Sequence, residues 1–196
     1  MTDLLAAATE VFEWLEAHRV RGCLIGALAV QRWGEPRLTQ DVDLTVVAET
    51  GSEDRVVDIC LERFRARRDD ARAFALQHRV ILMLAGNGVP VDVALGATSF
   101  EADCVDRATP HEFEPGCVLP TCSAEDLVIH KTFAARPQDI ADIRGVVNRQ
   151  LGELDLARIR HWLAVLGEVK EDPDLARPFE EALKAATKIA RRRSPT

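Results

Sequence analysis

A short run, DVDLTVV, at residues 41–47 limits the possible folds of this chain. Val42, Leu44 and Val46 alternate with Asp41, Asp43 and Thr45, the period of a strand with one buried face. A second run, PVDVALG (90–96), has the same pattern: Val91, Val93 and Leu95 take the core side, Asp92 and Ala94 the other. A sheet that buries the apolar side of both runs gathers three carboxylates on its opposite side. Asn87-Gly88 stands just before the second run and predicts a hairpin, with positive φ at both turn positions and Asp92 on the returning strand.

Around these runs the periodicity changes repeatedly. Residues 3–18 predict an amphipathic helix with Leu4, Leu5, Ala8, Val11, Phe12 and Leu15 on one face. CLI (23–25) predicts a short buried strand, followed by Gly26, a short helix closed by Gly34, and the loop GEPRLTQ. Ser52 is placed to cap a helix to about residue 67, and residues 98–107 predict another. EFEPGCVLPTC reads as irregular with at most a short strand. From Ser123 onward the pattern is helical, at 123–135, 137–149, 155–167 and 174–191. The fold class expected is α+β, a small mixed or antiparallel sheet with flanking helices followed by a C-terminal helical region. The composition shift near residue 120 sets the expected domains at 1–120 and 121–196.

Composition excludes several classes. Of 196 residues, 47% are hydrophobic and 29% charged, enough apolar surface for a packed core. No apolar stretch approaches a membrane span, and the acidic N-terminal segment does not resemble a signal peptide, so a cytoplasmic protein without membrane association is expected. The net charge of −7 argues against a broad non-specific nucleic-acid surface. Two basic clusters, Arg63/Arg65/Arg67/Arg68 and Arg191/Arg192/Arg193, read as solvated surface. The five cysteines form no C-x-x-C pair, which predicts buried thiols and neither zinc nor disulfides.

Asp41, Asp43 and Asp92 on one face would repel one another, and a divalent cation with oxygen ligands is the natural compensation. Alone, D-x-D also fits the solvated face of an edge strand. Gly26, between a strand and a helix, lets a phosphate approach free N–H groups, although an ordinary tight turn has the same signature. Lys131 falls in an apolar stripe with Leu127, Val128, Ala134 and Ala135, on a helix whose Ser123/Asp126 spacing suggests a capping box. A buried ammonium needs a partner, and a triphosphate would serve; snorkelling to solvent is the plainer account. Asp139 suits the first turn of a helix opened by Pro137, and Asp142, one turn on, would face either the site or solvent.

The order LIGA, DVDL, VDV resembles the polymerase-beta-like nucleotidyltransferase superfamily, with its hG[GS] turn, D-x-[DE] strand and third acid on a later strand. The longer runs GALAVQRWGEPRLTQDVDL and SAEDLVIHKTFAARPQDIADI look like its AbiEii-type branch, the toxin component of bacterial toxin–antitoxin pairs. The resemblance spans roughly residues 22 to 143.

What the resemblance implies is a magnesium-dependent enzyme moving an NMP from an NTP to an acceptor hydroxyl. Asp41, Asp43 and Asp92 would be catalytic and bind Mg2+, with Asp92 also taking the acceptor proton. Gly26 and Ala27 would lie against the nucleotide phosphates, and Arg37 and Lys131 would neutralise their charge. Thr39 and Asp142 would flank the nucleotide. Ala27 departs from the serine or glycine common in the superfamily and removes one phosphate ligand. The acceptor implied is RNA, including a tRNA end; a small molecule of aminoglycoside type or a protein hydroxyl is the alternative. An antitoxin partner is the further implication. A non-catalytic nucleotide-binding module on the same fold is the competing class, and a helical interaction protein with surface acids the plainest.

Overall fold

The computed structural model describes residues 2–48 and 51–193. α1 (Asp3–Ala17) starts at Thr2, whose hydroxyl accepts the Leu5 N–H, and buries Leu5, Ala8, Val11 and Leu15 as the periodicity requires. Next come β1 (Gly22–Leu24), α2 (Gly26–Trp33) and β2 (Val42–Val47). β1 thus begins and ends one residue earlier than expected, and Asp41 lies just ahead of β2.

The segment after Ser52 departs from expectation. α3 (Glu53–Arg63) ends early, and Ser52 makes no side-chain cap bond to it. Phe64 turns extended and is 3% exposed, so burying its ring takes precedence over continuing the helix. β3 (Arg65–Ala66) and α4 (Ala71–His78) follow. α4 closes on Arg79 in the left-handed region, φ 54°.

β4 (Val80–Leu84) and β5 (Pro90–Gly96) form the predicted hairpin. Its turn differs in type. The Gly88 N–H donates to the Ala85 carbonyl at 2.9 Å, as does the Ala85 N–H to Val89. Gly88 has φ 84°, whereas Asn87 keeps a negative φ. A three-residue loop with glycine at its left-handed position replaces the two-residue turn.

α5 (Ser99–Arg107) opens with a Thr98/Glu101 capping box. The stretch expected to be irregular is a second hairpin, β6 (Thr109–Glu114) and β7 (Cys117–Thr121), turning at Gly116 with φ 82°. β6 is a largely exposed edge strand containing Pro110, and such strands carry no alternation to detect. The chain ends in α6 (Ala124–Ala134), α7 (Pro137–Arg149), α8 (Leu156–Lys170) and α9 (Arg177–Arg193).

The strands form one mixed seven-stranded sheet, ordered β3-β4-β5-β2-β1-β7-β6. The pairs β2/β5 and β1/β7 are parallel and the rest antiparallel. The class is the expected α+β arrangement, with a larger sheet. Two compact units result: the chain up to Leu28 with Leu38–Cys122, and Ala29–Arg37 with the chain from Ser123 onward. The first contains the sheet and a core that includes Val42, Leu44, Val91 and Val93, each 0% exposed. In the second, Leu127, Ile143, Val146, Ile159 and Phe179 are wholly buried. The five cysteines are buried thiols outside any disulfide, and burial pushes the Cys60 thiol up to about 12.

Candidate active site

The parallel pairing of β2 with β5 sets Asp43 directly opposite Asp92. Laterally paired residues project to the same side of a sheet, so these two carboxylates share the face away from Val42, Leu44, Val91 and Val93. The row extends both ways. Leu82 on β4 is the partner of Asp92, and the Arg67 N–H donates to the Leu82 carbonyl at 3.0 Å. On the other side the Ile25 N–H donates to the Asp43 carbonyl, also at 3.0 Å. Arg67, Leu82, Asp92, Asp43 and Ile25 therefore form one line across the sheet. Asp41 lies two residues before Asp43, and the Thr39 hydroxyl donates to its Oδ1 at 2.6 Å. Thr39 thus orients a carboxylate.

Gly26 opens α2 with φ 63°, a conformation L side chains rarely adopt. A Cβ there would lie 2.0 Å from Oδ2 of Asp43. The Asp43 carboxylate is therefore seated on the bare backbone where the helix begins. Ala27, 2% exposed, follows.

Burial raises the Asp92 carboxyl above its ordinary value; Arg67, its ion-pair partner, opposes the rise and the negative charge of Asp41 adds to it. Arg67 was not singled out in the sequence, where it looked like one of a solvated basic run. Its place depends on a two-residue strand, β3, whose register no periodicity reveals.

The remaining candidates lie in the second unit. Lys131, with a side chain 5% exposed, meets Asp139 at 3.1 Å and Asp142 at 2.8 Å. Its partners here are carboxylates of α7. Arg37 donates to both oxygens of Asp142, from Nε at 3.0 Å and Nη2 at 3.2 Å. Arg136 donates to Asp139 from Nε at 2.7 Å and from its backbone N–H at 3.1 Å. Burial would raise both acids, but the hydrogen bonds and charge of Arg136 and Lys131 on Asp139, and of Arg37 and Lys131 on Asp142, hold them below the ordinary carboxylate range. Asp142 is thus neither solvated nor unpartnered. Ser123 caps α6 as expected, accepting the Asp126 N–H at 3.1 Å, while the Asp126 carboxylate accepts from Arg158 at 2.6 Å.

No protein-family model matches the chain, and neither does any curated protein. Among solved structures it is similar to an antigenic nucleotidyltransferase-like protein from Paracoccidioides brasiliensis, at 17% identity and TM-score 0.52, over 91% of this chain and 92% of that one. The chain has the nucleotidyltransferase fold. It is also similar to the antibiotic-resistance factor ANT(2'')-Ia in solution, at 14% identity and TM-score 0.47, over 96% and 93% of the two chains. A third likeness is to the lincosamide antibiotic adenylyltransferase LnuA, at 11% identity and TM-score 0.48, over 74% and 96%.

On this nucleotidyltransferase fold the acids present hard oxygen donors, the chemistry that suits magnesium. Asp41 is near enough for its charge to act on Asp92. The donor set therefore fits a divalent cation. Among the described residues, though, no three His, Cys, Asp or Glu side chains are already drawn together as a metal cage. No helix among them is long and apolar enough to cross a membrane.

Proposed function

We propose that the chain is a nucleotidyltransferase that moves an NMP from an NTP to an acceptor hydroxyl. The observation that carries the reading is the register pairing of Asp43 with Asp92, with Asp41 beside them and Gly26 bare beneath the Asp43 carboxylate. Asp41, Asp43 and Asp92 would hold Mg2+, which when bound neutralises charge on the triphosphate and the departing pyrophosphate. The acceptor oxygen bonds to the α-phosphorus, the bond from that phosphorus to the bridging oxygen breaks, and pyrophosphate leaves. Asp92 takes the acceptor proton; a carboxyl raised above its ordinary value is the better base near neutral pH. Gly26 seats the Asp43 carboxylate, the N–H groups that open α2 there would receive a phosphate, and Thr39 fixes the Asp41 carboxylate. Within the second unit Arg37, Lys131 and Asp142 form one ion-paired group rather than separate charges.

The acceptor in this reading is RNA. Lys184, Lys188, Arg191 and Arg192 are exposed on α9 at the i, i+4, i+7, i+8 spacing of one helix face, and none has an acidic partner among the described residues. By contrast Arg21, Arg63, Arg68, Arg72 and Arg160 each pair with an acid. The side chain of Arg193 lies outside the described residues. The Arg37-x-Thr39-x-Asp41-x-Asp43 run supports a finer placement in the AbiEii-type branch, with an antitoxin partner. Growth arrest on expression, abolished by Asp43→Asn, tests that placement.

The deciding experiment incubates the protein with each α-labelled NTP, magnesium and total cellular RNA, followed by gel separation. Label should enter RNA with the parent protein and not with Asp43→Asn. Label on a small molecule or on protein would replace the acceptor. NTP binding with no labelled product of any kind would leave a binding module in place of an enzyme.

A further inference from the structure

We infer that Arg67 is a phosphate-binding residue of this site, held on Asp92 until a divalent cation takes that carboxylate. The inference rests on the nucleotidyl-transfer reading and adds to it a residue and an exchange of partners.

The position of Arg67 is fixed by the sheet. β3 pairs antiparallel with β4, matching Arg65 to Leu84 and Ala66 to Met83, and the Arg67 N–H continues the ladder onto Leu82. Leu82 faces Asp92, and Asp92 faces Asp43. The guanidinium thus reaches over Leu82 along the row that carries the acids. Of the nearby arginines, Arg63 pairs with Glu10 at 2.7 Å and Arg68 with Asp70 at 2.8 Å.

The Arg67–Asp92 pair is built to open. Its side chains are 29% and 32% exposed, and a partly solvated ion pair is held weakly. A divalent cation has twice the charge and engages several carboxylate oxygens at once, so it outcompetes a guanidinium for Asp92. Once displaced, Arg67 remains on the same face of the sheet. Its planar fork of donors matches two oxygens of a phosphate group.

The test uses the whole chain as parent, Arg67→Gln and Arg67→Lys. Manganese binding is read by the electron paramagnetic resonance of the free ion, and binding of a non-hydrolysable ATP analogue is read at saturating manganese. Removing a competing charge at this range should tighten manganese binding about tenfold in Arg67→Gln. The analogue should bind that variant about tenfold more weakly, with Arg67→Lys recovering part of the loss. Shifts of opposite sign for ion and nucleotide are a signature that a merely structural arginine would not give. Equal manganese affinity in parent and Arg67→Gln would overturn the inference while leaving the cation site intact. Unchanged nucleotide binding would overturn it as well. Failure of every protein to bind manganese would remove the inference and the nucleotidyl-transfer reading together.

Discussion

Gly26 and Asp43 are in a contact that leaves no room for a side chain at position 26: a Cβ there would stand 2.0 Å from the Asp43 Oδ2 and 2.5 Å from its Cβ. The backbone is also left-handed at this point, with φ 63°. Gly26→Ala should therefore destabilise the fold by about 2 kcal/mol or more, combining the left-handed penalty with displacement of Asp43. Nucleotidyl transfer should fall much further than the folded fraction. Urea unfolding alongside a transfer assay measures both, and parental activity in the Gly26→Ala variant would contradict the seating of Asp43 on bare backbone.

Asp92 should show the opposite relation between stability and activity. Its folded-state carboxyl is raised, so its ionised form is disfavoured by folding. Any stability it contributes is full below the ordinary value of 3.8 and is lost as pH rises through the raised value. At neutral pH Asp92→Asn, which cannot ionise, should unfold at the same temperature as the parent or higher, while transfer drops by about 100-fold or more with loss of the proposed base. Calorimetry and a single-turnover assay on the same preparation would check the pair.

The strands that carry the acids were legible because each buries one face, and a period of two survives in the sequence wherever that holds. Val42, Leu44, Val91 and Val93 announced both β2 and β5. The segments that were not legible lack that constraint. β3 is two residues long, and β6 lies on an edge with an exposed, proline-containing face, so neither has a pattern. Arg67 became visible only with the β3 register. Lys131 was noticed as an anomaly in an apolar stripe, but its partners Asp139 and Asp142 depend on how α6 meets α7, and helix packing leaves no mark at a single position.

Lys131 is wedged between two acids whose side chains are 1% and 3% exposed. Lys131→Met keeps the length of the side chain and removes its charge. Asp139 and Asp142 would each be left with one arginine. Breaking a buried ionic cluster in this way costs about 3–5 kcal/mol. Denaturant titration should show the loss, and a midpoint equal to the parent's would count against the cluster.

Acid should act on the same cluster. Asp139 and Asp142 are both held below the ordinary value of 3.8 in the folded state. Their contribution is complete above 3.8 and is lost as pH falls from there through their lower folded values. A stability profile between about pH 5 and pH 2 should decline. It should decline less steeply in Asp142→Asn, because one of the two protonations has been removed; identical slopes would count against the cluster.

Thr45, 0% exposed, carries the sole buried side-chain oxygen or nitrogen without a hydrogen-bond partner among the described residues. Thr45→Val replaces the hydroxyl with a methyl in nearly the same shape. It should stabilise the chain by about 1 kcal/mol, the desolvation cost of an unpaired hydroxyl. Thermal unfolding decides the sign.

The row across β3, β4, β5 and β2 has a consequence for when the protein becomes competent. Asp43 and Asp92 are remote along the chain and become neighbours only after β5 has docked beside β2. No fragment or half-folded intermediate that lacks this docking can offer both carboxylates to one ion. A divalent cation held by both carboxylates, as proposed, would therefore be a clock for completion of the sheet, binding only when its central parallel pair has closed.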